Sequence, residues 1–338
     1  MSLLYLTSTE IHQILLKKKL TFQRVVQKIN RESKKHILRK FAKPKPYKAF
    51  DNHYIFADLR GGSTWMMEII QKITQEPVIW EPLEPKIKNN PFNAINFGWK
   101  QYIPENESWQ EAKILFEKLF SGRILNENIL DYSSFSQLRN SESLLFKICR
   151  GNALLPWLTD NFQFKAKPIY LIRHPFAVVN SQLKHGAWDY AFDGFHFPDT
   201  PYNDNYLEHK TFLETIKHKE EALVAEWCIS NKIPLNHPKN NKSWITLNYE
   251  QFVMSPKETI EKILSIWELE HDLSKINFRK DSLTTKRDTP KSIEKRLSQW
   301  QNTLSATQLK NMERVLDYFE VDVYSKHNPL PKITFNKN

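Results

Sequence analysis

Residues 54–70 constrain the fold of this chain more than any other stretch. Tyr54, Ile55, Phe56 and Ala57 form a short, apolar, β-prone run. The pair Gly61-Gly62 follows, then Ser63 and Thr64, which are good helix-start residues with hydroxyls to spare. Trp65, Met66, Ile69, Ile70 and Ile73 recur at helical spacing. The reading is a buried strand, a glycine turn and a helix. Glycine permits a tight turn and close approach of backbone to a ligand. The chain has only seven glycines, so an adjacent pair carries information. A strand that enters a helix this way presents free amide N–H groups and the positive end of a dipole, which together make an anion site. Arg60 adds a full charge at its lip. The nucleotide loop G-x-x-x-x-G-K-[ST] is not met, because the Gly-Lys pair is missing. Alone, the turn also has a purely structural reading.

Strand and helix patterns then alternate. Short apolar runs at residues 75–80, 143–149, 168–173 and 243–247 predict four more strands. Helical patterns are read over 108–120, 151–162, from Pro175 onward, 208–229 and 256–267, with two more near 290–301 and 305–319. Residues 85–140 are mixed and polar and read as a substrate-side insertion outside the core. The alternation predicts an α/β fold, a central and mostly parallel sheet flanked by helices with right-handed crossovers.

Charge divides the chain. The net charge is +11, yet residues 17–50 hold thirteen Lys or Arg against one acid, Glu32. The rest of the chain is near neutral. Residues 1–50 are therefore expected to be a basic helical extension, with Ser8 as a helix cap and two helices over 8–41, and residues 51–338 the functional domain. The basic stretch is either a solvated helical pair or a docking surface for an acidic partner, a carrier protein or membrane headgroups. It gives no reason to expect nucleic acid at the body of the protein. Two cysteines, Cys149 and Cys228, exclude a disulfide framework and a cysteine-rich metal site. No apolar run reaches eighteen residues and no signal-peptide pattern opens the chain, so a cytoplasmic location is expected.

A second motif follows about a hundred residues on. Arg173 closes the strand at 168–173, His174-Pro175 opens a helix, and Ser181 lies about two turns into it. An arginine fork with a hydroxyl suits a terminal phosphate. Arg173 could equally be a salt-bridged strand end.

Together the segments resemble the sulfotransferases that use 3′-phosphoadenosine 5′-phosphosulfate (PAPS), in their small-molecule branch. Arg60-Gly61-Gly62-Ser63-Thr64-Trp65 is similar to that family's [KR]-x-G-[ST]-[ST]-W loop, with Gly61 where serine is commoner. Arg173-x-Pro175 with Ser181 is similar to its R-x-P-x₅-S element. Residues 244–256, with Tyr249-Glu250 and Pro256, resemble its Y-E-D-L-x-x-D-P turn. Trp300, Leu304, Ser305 and Gln308 resemble its W-x-x-x-L-S-x-x-Q segment. The resemblance covers roughly residues 51–325.

It implies a P-loop-NTPase-like sulfotransferase fold and in-line sulfuryl transfer, which depends on positioning and charge stabilisation as phosphoryl transfer does. The backbone of 61–65 with Ser63 and Thr64 would hold the 5′-phosphate, and Arg60 would neutralise charge on the bridging oxygen. Arg173 and Ser181 would hold the 3′-phosphate, closed over by the neighbourhood of the basic, turn-rich stretch 279–287, with Lys291, Lys295 and Arg296 as further candidates. Trp65 and Tyr249 would pack near the adenine, or are ordinary core aromatics. No metal is implied. Many members place a histidine at the end of the third strand, where this chain has Lys147-Ile148-Cys149-Arg150. Other branches use a glutamate after the second strand, which selects Glu81 as the general base, then Glu84, with His185 third. A base there would need its pKa raised by partial burial beside Trp80. Glu81 could instead merely pair with a loop cation.

Residues 188–206 are aromatic and acidic and read as a lid over the acceptor or as a packed connection. The resulting expectation is transfer of a sulfuryl group to a hydroxyl or amine of a small molecule. The alternatives are a kinase-like P-loop enzyme and a non-catalytic protein that binds nucleotide, nucleic acid or membrane on the same fold.

Overall fold

Five parallel strands form one sheet in the order β2-β3-β1-β4-β5. They are β1 (His53–Ala57), β2 (Val78–Trp80), β3 (Leu145–Ile148), β4 (Ile169–Ile172) and β5 (Ile245–Asn248). This computed structural model describes residues 46–333 apart from 88, 126–128 and 279–291, together with four helical positions of the basic segment, Val26, Ile29, Ser33 and His36. The remaining expectations for 8–41, the basic stretch 279–287 and Lys291 lie outside the described residues. In register, Ile55 of β1 lies beside Lys147 of β3 on one side and Ile169 of β4 on the other. The parallel α/β architecture expected from the alternation is what the chain adopts.

The strand period of two sorts the side chains onto two faces. Tyr54, Phe56, Phe146, Ile148, Tyr170 and Ile172 enter one core. Ile55, Ala57, Leu145, Ile169, Leu171, Ile245 and Leu247 enter the other. Parallel strands buried on both faces need such continuous apolar runs. The helices supply the cover: α1 (Ser63–Thr74), α2 (Gln110–Phe120), α3 (Leu155–Asn161), α4 (Pro175–Leu183), α5 (Lys219–Asn236), α6 (Tyr249–Met254), α7 (Pro256–Ile266) and α8 (Ala306–Phe319). Trp157, Trp227, Trp244 and Trp300 are fully buried among them. Each stabilises the fold by up to about 3 kcal/mol relative to an exposed side chain.

Three expectations need correction. The segment 85–140 is not excluded from the core, because Phe92, Ile103, Phe116 and Phe120 are buried in the first cluster. Its polar residues hid a sparse helical stripe, Ala112, Phe116, Leu119 and Phe120 of α2. The helix expected over 208–229 is broken into Lys210–Leu213 and α5. His218 caps α5 in a box with Glu221, an unusual cap residue that the sequence pattern does not flag. The helix expected from Gly151 opens as a 3₁₀ turn, Asn152–Leu154, before α3.

The topology fixes where a ligand can go. From β1 the chain travels to the β2 edge, and from the adjacent β4 it travels to β5. Two neighbouring strands that send their chains opposite ways leave a crevice beyond their carboxyl ends. Arg60 and Arg173 stand just past those two ends.

Candidate functional site

The glycine turn is shaped by its neighbours. The Gly61 N–H donates to Asp58 O at 2.8 Å. Gly62 caps α1 at φ 92°, and a Cβ placed there would stand 2.2 Å from Cε2 of Tyr249. Only glycine satisfies both the left-handed backbone and the aromatic ring above it. Ser63 and Thr64 open α1 and are buried, and the first amides of a helix have no intrahelical acceptor. Arg60 also has positive φ, 71°, an uncommon state for a residue with a side chain.

A buried polar network holds the base of this turn. Asp58 accepts from Lys100 Nζ at 3.1 Å and from Asn231 Nδ2 at 2.6 Å. Lys100 also reaches Ser230 Oγ at 3.2 Å and Glu226 O at 3.1 Å. The loop is thereby tied to the middle of α5. A buried carboxylate with this many donors has its desolvation offset.

Two arginines face each other across the crevice. Arg60 Nε donates to Ser181 Oγ at 3.0 Å, and Arg173 Nη1 donates to Arg60 O at 2.9 Å. The Arg173 guanidinium lies 4.4 Å over the Tyr249 ring, and its Nε is buried with no hydrogen-bond partner among the described residues. Glu250, whose charge reaches Arg173, already accepts from His174 N–H at 3.0 Å and from Tyr324 OH at 2.8 Å. Among the described residues no carboxylate is within ion-pair distance of either arginine. Burial and the neighbouring Arg173 guanidinium hold the Arg60 pKa below its ordinary value, against the pull of Tyr249. Two like charges in a half-buried crevice are mutually unfavourable until an anion joins them. Among the described residues, Arg173 is thus not a salt-bridged strand end.

Glu81 behaves differently from the base the sequence suggested. One oxygen takes Lys147 Nζ, and the other accepts from Cys149 N–H and from Arg150 Nη1, both at 3.1 Å. Arg150 also pairs with Glu84. Burial alone would raise the Glu81 pKa, but Lys147, Arg150 and these hydrogen bonds outweigh it and bring the pKa down. The expectation of a raised pKa is corrected; the pairing alternative describes the residue, with Lys147 on β3 and Arg150 in the loop just past it as partners. Lys147 lies 4.0 Å over the Trp80 ring and Arg150 4.4 Å over Trp99. Burial, then Glu81, pushes the Cys149 thiol up to about 12, so it stays protonated beside Ser63 Oγ at 3.3 Å.

These groups line one cavity of about 1430 Å³. Of the loop 60–65, Glu81, Arg173, Ser181 and Tyr249, all but Gly61 line it, and so does Glu84. Gly61 lies beneath the turn, buried. Trp65 is half-buried, its ring 4.4 Å from that of Phe252, so it is both a packed aromatic and a wall. Arg296 also reaches the cavity. His185 lines it but is a local cap, its Nδ1 accepting from Ala187 N–H at 3.2 Å. Residues 189–203 form no helix or strand. Asn96 and Gln101 pin this segment through Asp199 O and Pro201 O, while Trp188 and Tyr190 line the cavity. The packed-connection reading describes the part pinned at Asp199 and Pro201.

Sequence reasoning missed Glu226, a half-buried acid of α5 that lines the same cavity. The signal was present: it is the one charged residue within the run Ala222–Ile229, a helix stretch buried on all sides.

No family model matches the chain, and no curated protein matches it. Among solved structures it is similar to the sulfotransferase domain of the Synechococcus PCC 7002 olefin synthase, at 16% identity and TM-score 0.42 over 83% of this chain and 98% of that one. It is similar to the sulfotransferase domain of the curacin biosynthetic pathway, at 15% identity and TM-score 0.43 over 80% and 98%. It is also similar to mouse sulfotransferase SULT7A1 complexed with PAP, at 15% identity and TM-score 0.38 over 81% and 85%.

Proposed function

We propose that this chain is a sulfotransferase that takes a sulfuryl group from PAPS and gives it to a hydroxyl or amine of a small molecule. The observation that carries the reading is the Arg60–Arg173 pair, two guanidiniums in one crevice with no carboxylate partner among the described residues. The fit to a bisphosphorylated nucleotide is chemical. The orphaned Nε of Arg173 and the Ser181 hydroxyl suit the 3′-phosphate. The amides at Gly62, Ser63 and Thr64 suit the 5′-phosphate. The left-handed backbone at Gly62 turns the chain so that the helix start faces the crevice. Tyr249 and Trp65 supply flat apolar surface for the adenine.

When bound, PAPS supplies an activated sulfuryl group. Arg60 offsets the charge that grows on the bridging oxygen as that group departs. Glu81 holds Lys147 and Arg150 in place on the acceptor side. Trp99, Trp188 and Tyr190 give that side aromatic walls for a small organic acceptor. The basic segment 17–50 suits an acidic partner such as a carrier protein that delivers the acceptor. No described helix is long and apolar enough to cross a membrane.

The test is calorimetric binding of 3′-phosphoadenosine 5′-phosphate (PAP) beside ADP and ATP, for wild type and Arg173→Ala. Binding of PAP in preference to both, weakened about 100-fold in the variant, supports the reading. Equal or absent binding of all three sets it aside in favour of a non-catalytic protein.

A further inference from the structure

The cavity is lined by three carboxylates, Glu81, Glu84 and Glu226. The first two are committed to Lys147 and Arg150. Glu226 has no ion-pair partner among the described residues. Its Oε2 accepts from the buried Tyr206 hydroxyl at 3.0 Å, and no described residue bonds Oε1. Its backbone carbonyl takes Lys100 Nζ, which also holds Asp58 at the base of the glycine turn. The residue is thus fixed at both ends, with one oxygen open to the cavity.

We propose that Glu226 is the general base for the acceptor, using its open oxygen to receive the proton of the attacking hydroxyl. The inference rests on the sulfotransferase reading above. In the step, the acceptor O–S bond forms while the S–O bond to the 5′-phosphate breaks, and that electron pair leaves with PAP. The acceptor proton ends on Glu226 and passes to solvent with product release. The charged or titratable groups that reach its carboxyl are Lys100, Tyr206 and Asp58, with Tyr190 across the cavity. Burial raises its pKa, and Asp58 adds to the rise while Lys100 and Tyr206 oppose it. A carboxylate shifted upward is a better proton acceptor than Glu81, which is shifted downward. Tyr206 positions the carboxylate and leaves the reacting oxygen unencumbered.

The experiment uses the full chain and PAPS itself, with water as acceptor and then with 2-naphthol as an aromatic hydroxyl probe. Glu226→Gln is expected to bind PAP within about twofold of wild type and to release it from PAPS about 100-fold more slowly. The wild-type rate should drop as pH is lowered through an inflection above the ordinary carboxylate range, and Glu226→Gln should lack that inflection. Glu226→Asp keeps the charge and should recover part of the rate with the inflection displaced. If Glu226→Gln binds PAP and retains both the wild-type rate and its inflection, Glu226 is not the base. If wild type neither binds PAP nor releases it from PAPS, the donor reading fails and this inference falls with it.

Discussion

Arg60 Nε donates to the Ser181 hydroxyl at 3.0 Å, across 121 residues of chain. The bond joins the loop after β1 to the helix after β4, so the two motifs are parts of one crevice. Ser181 holds Arg60 in place and has an acceptor lone pair committed to it. Ser181→Ala should therefore weaken PAP binding about tenfold, the scale of one hydrogen bond to a charged group. It should do so with little change in melting temperature of the ligand-free protein. Calorimetry paired with thermal melts checks this, and an unchanged affinity would separate the two motifs.

The turn itself should be intolerant. Gly62→Ala places a methyl against Tyr249 at a backbone angle that disfavours side chains. Strain and overpacking together should cost about 2–4 kcal/mol. Denaturant unfolding measures it. A second change, Tyr249→Ala, should remove the steric part, so the cost of Gly62→Ala should be smaller in that background.

Glu81→Ala should be a stability variant before it is an activity variant. It strands the buried Lys147 and leaves Arg150 to Glu84 alone, and removing one partner of a buried pair typically costs about 3–5 kcal/mol. Because the folded pKa of Glu81 is lowered, its contribution is complete above the ordinary carboxylate value of about 4.3 and is lost as pH falls through the folded value. Unfolding curves of wild type and variant should converge as pH drops below that value.

His174 gives a separate pH window. Burial, with Arg173 nearby, lowers its pKa to about 4, while its ring stacks on Trp300 and its Nε2 donates to Ser325 O at 3.0 Å. The unfolded chain protonates near 6.5 and the folded one near 4. The contribution is therefore full above about 6.5 and lost as pH falls through about 4, a range worth about 3 kcal/mol. Glu250 in the same cluster is shifted upward by burial, so its contribution fades in the opposite sense, as pH rises. His174→Asn should flatten the slope of stability against pH between those values, and matched denaturant titrations of the two proteins isolate it.

The loop at the cavity mouth is latched by α5. Lys219 Nζ donates to Trp188 O at 2.9 Å and lies 4.5 Å over the Tyr190 ring. Lys219→Met should free the latch and raise amide hydrogen exchange at 188–190 with little effect on α5. Unchanged exchange would mean that the pinning by Asn96 and Gln101 suffices.

Local patterns in the chain were legible wherever one segment carried its own evidence. The run from Tyr54 to Ile73 showed strand, turn and helix because each obeys a short-range rule. Arg173, Pro175 and Ser181 were legible for the same reason. What escaped was decided between segments. The partners of Glu81 lie 66 and 69 positions away in sequence, and only the pairing of β2 with β3 brings them together. Glu226 was read past because an acid within a long helix is ordinarily solvated. The break before α5 escaped because its cap is a histidine.

The contact between Gly62 and Tyr249 also orders mutational history. While the tyrosine ring is in place, any side chain at 62 is penalised; once position 249 carries a small residue, the steric objection disappears. The same substitution changes its effect with genetic background. Variation at the turn is therefore less costly by one order of steps than by the other, with the left-handed backbone favouring glycine in both, so the two sites are coupled although 187 positions of sequence separate them.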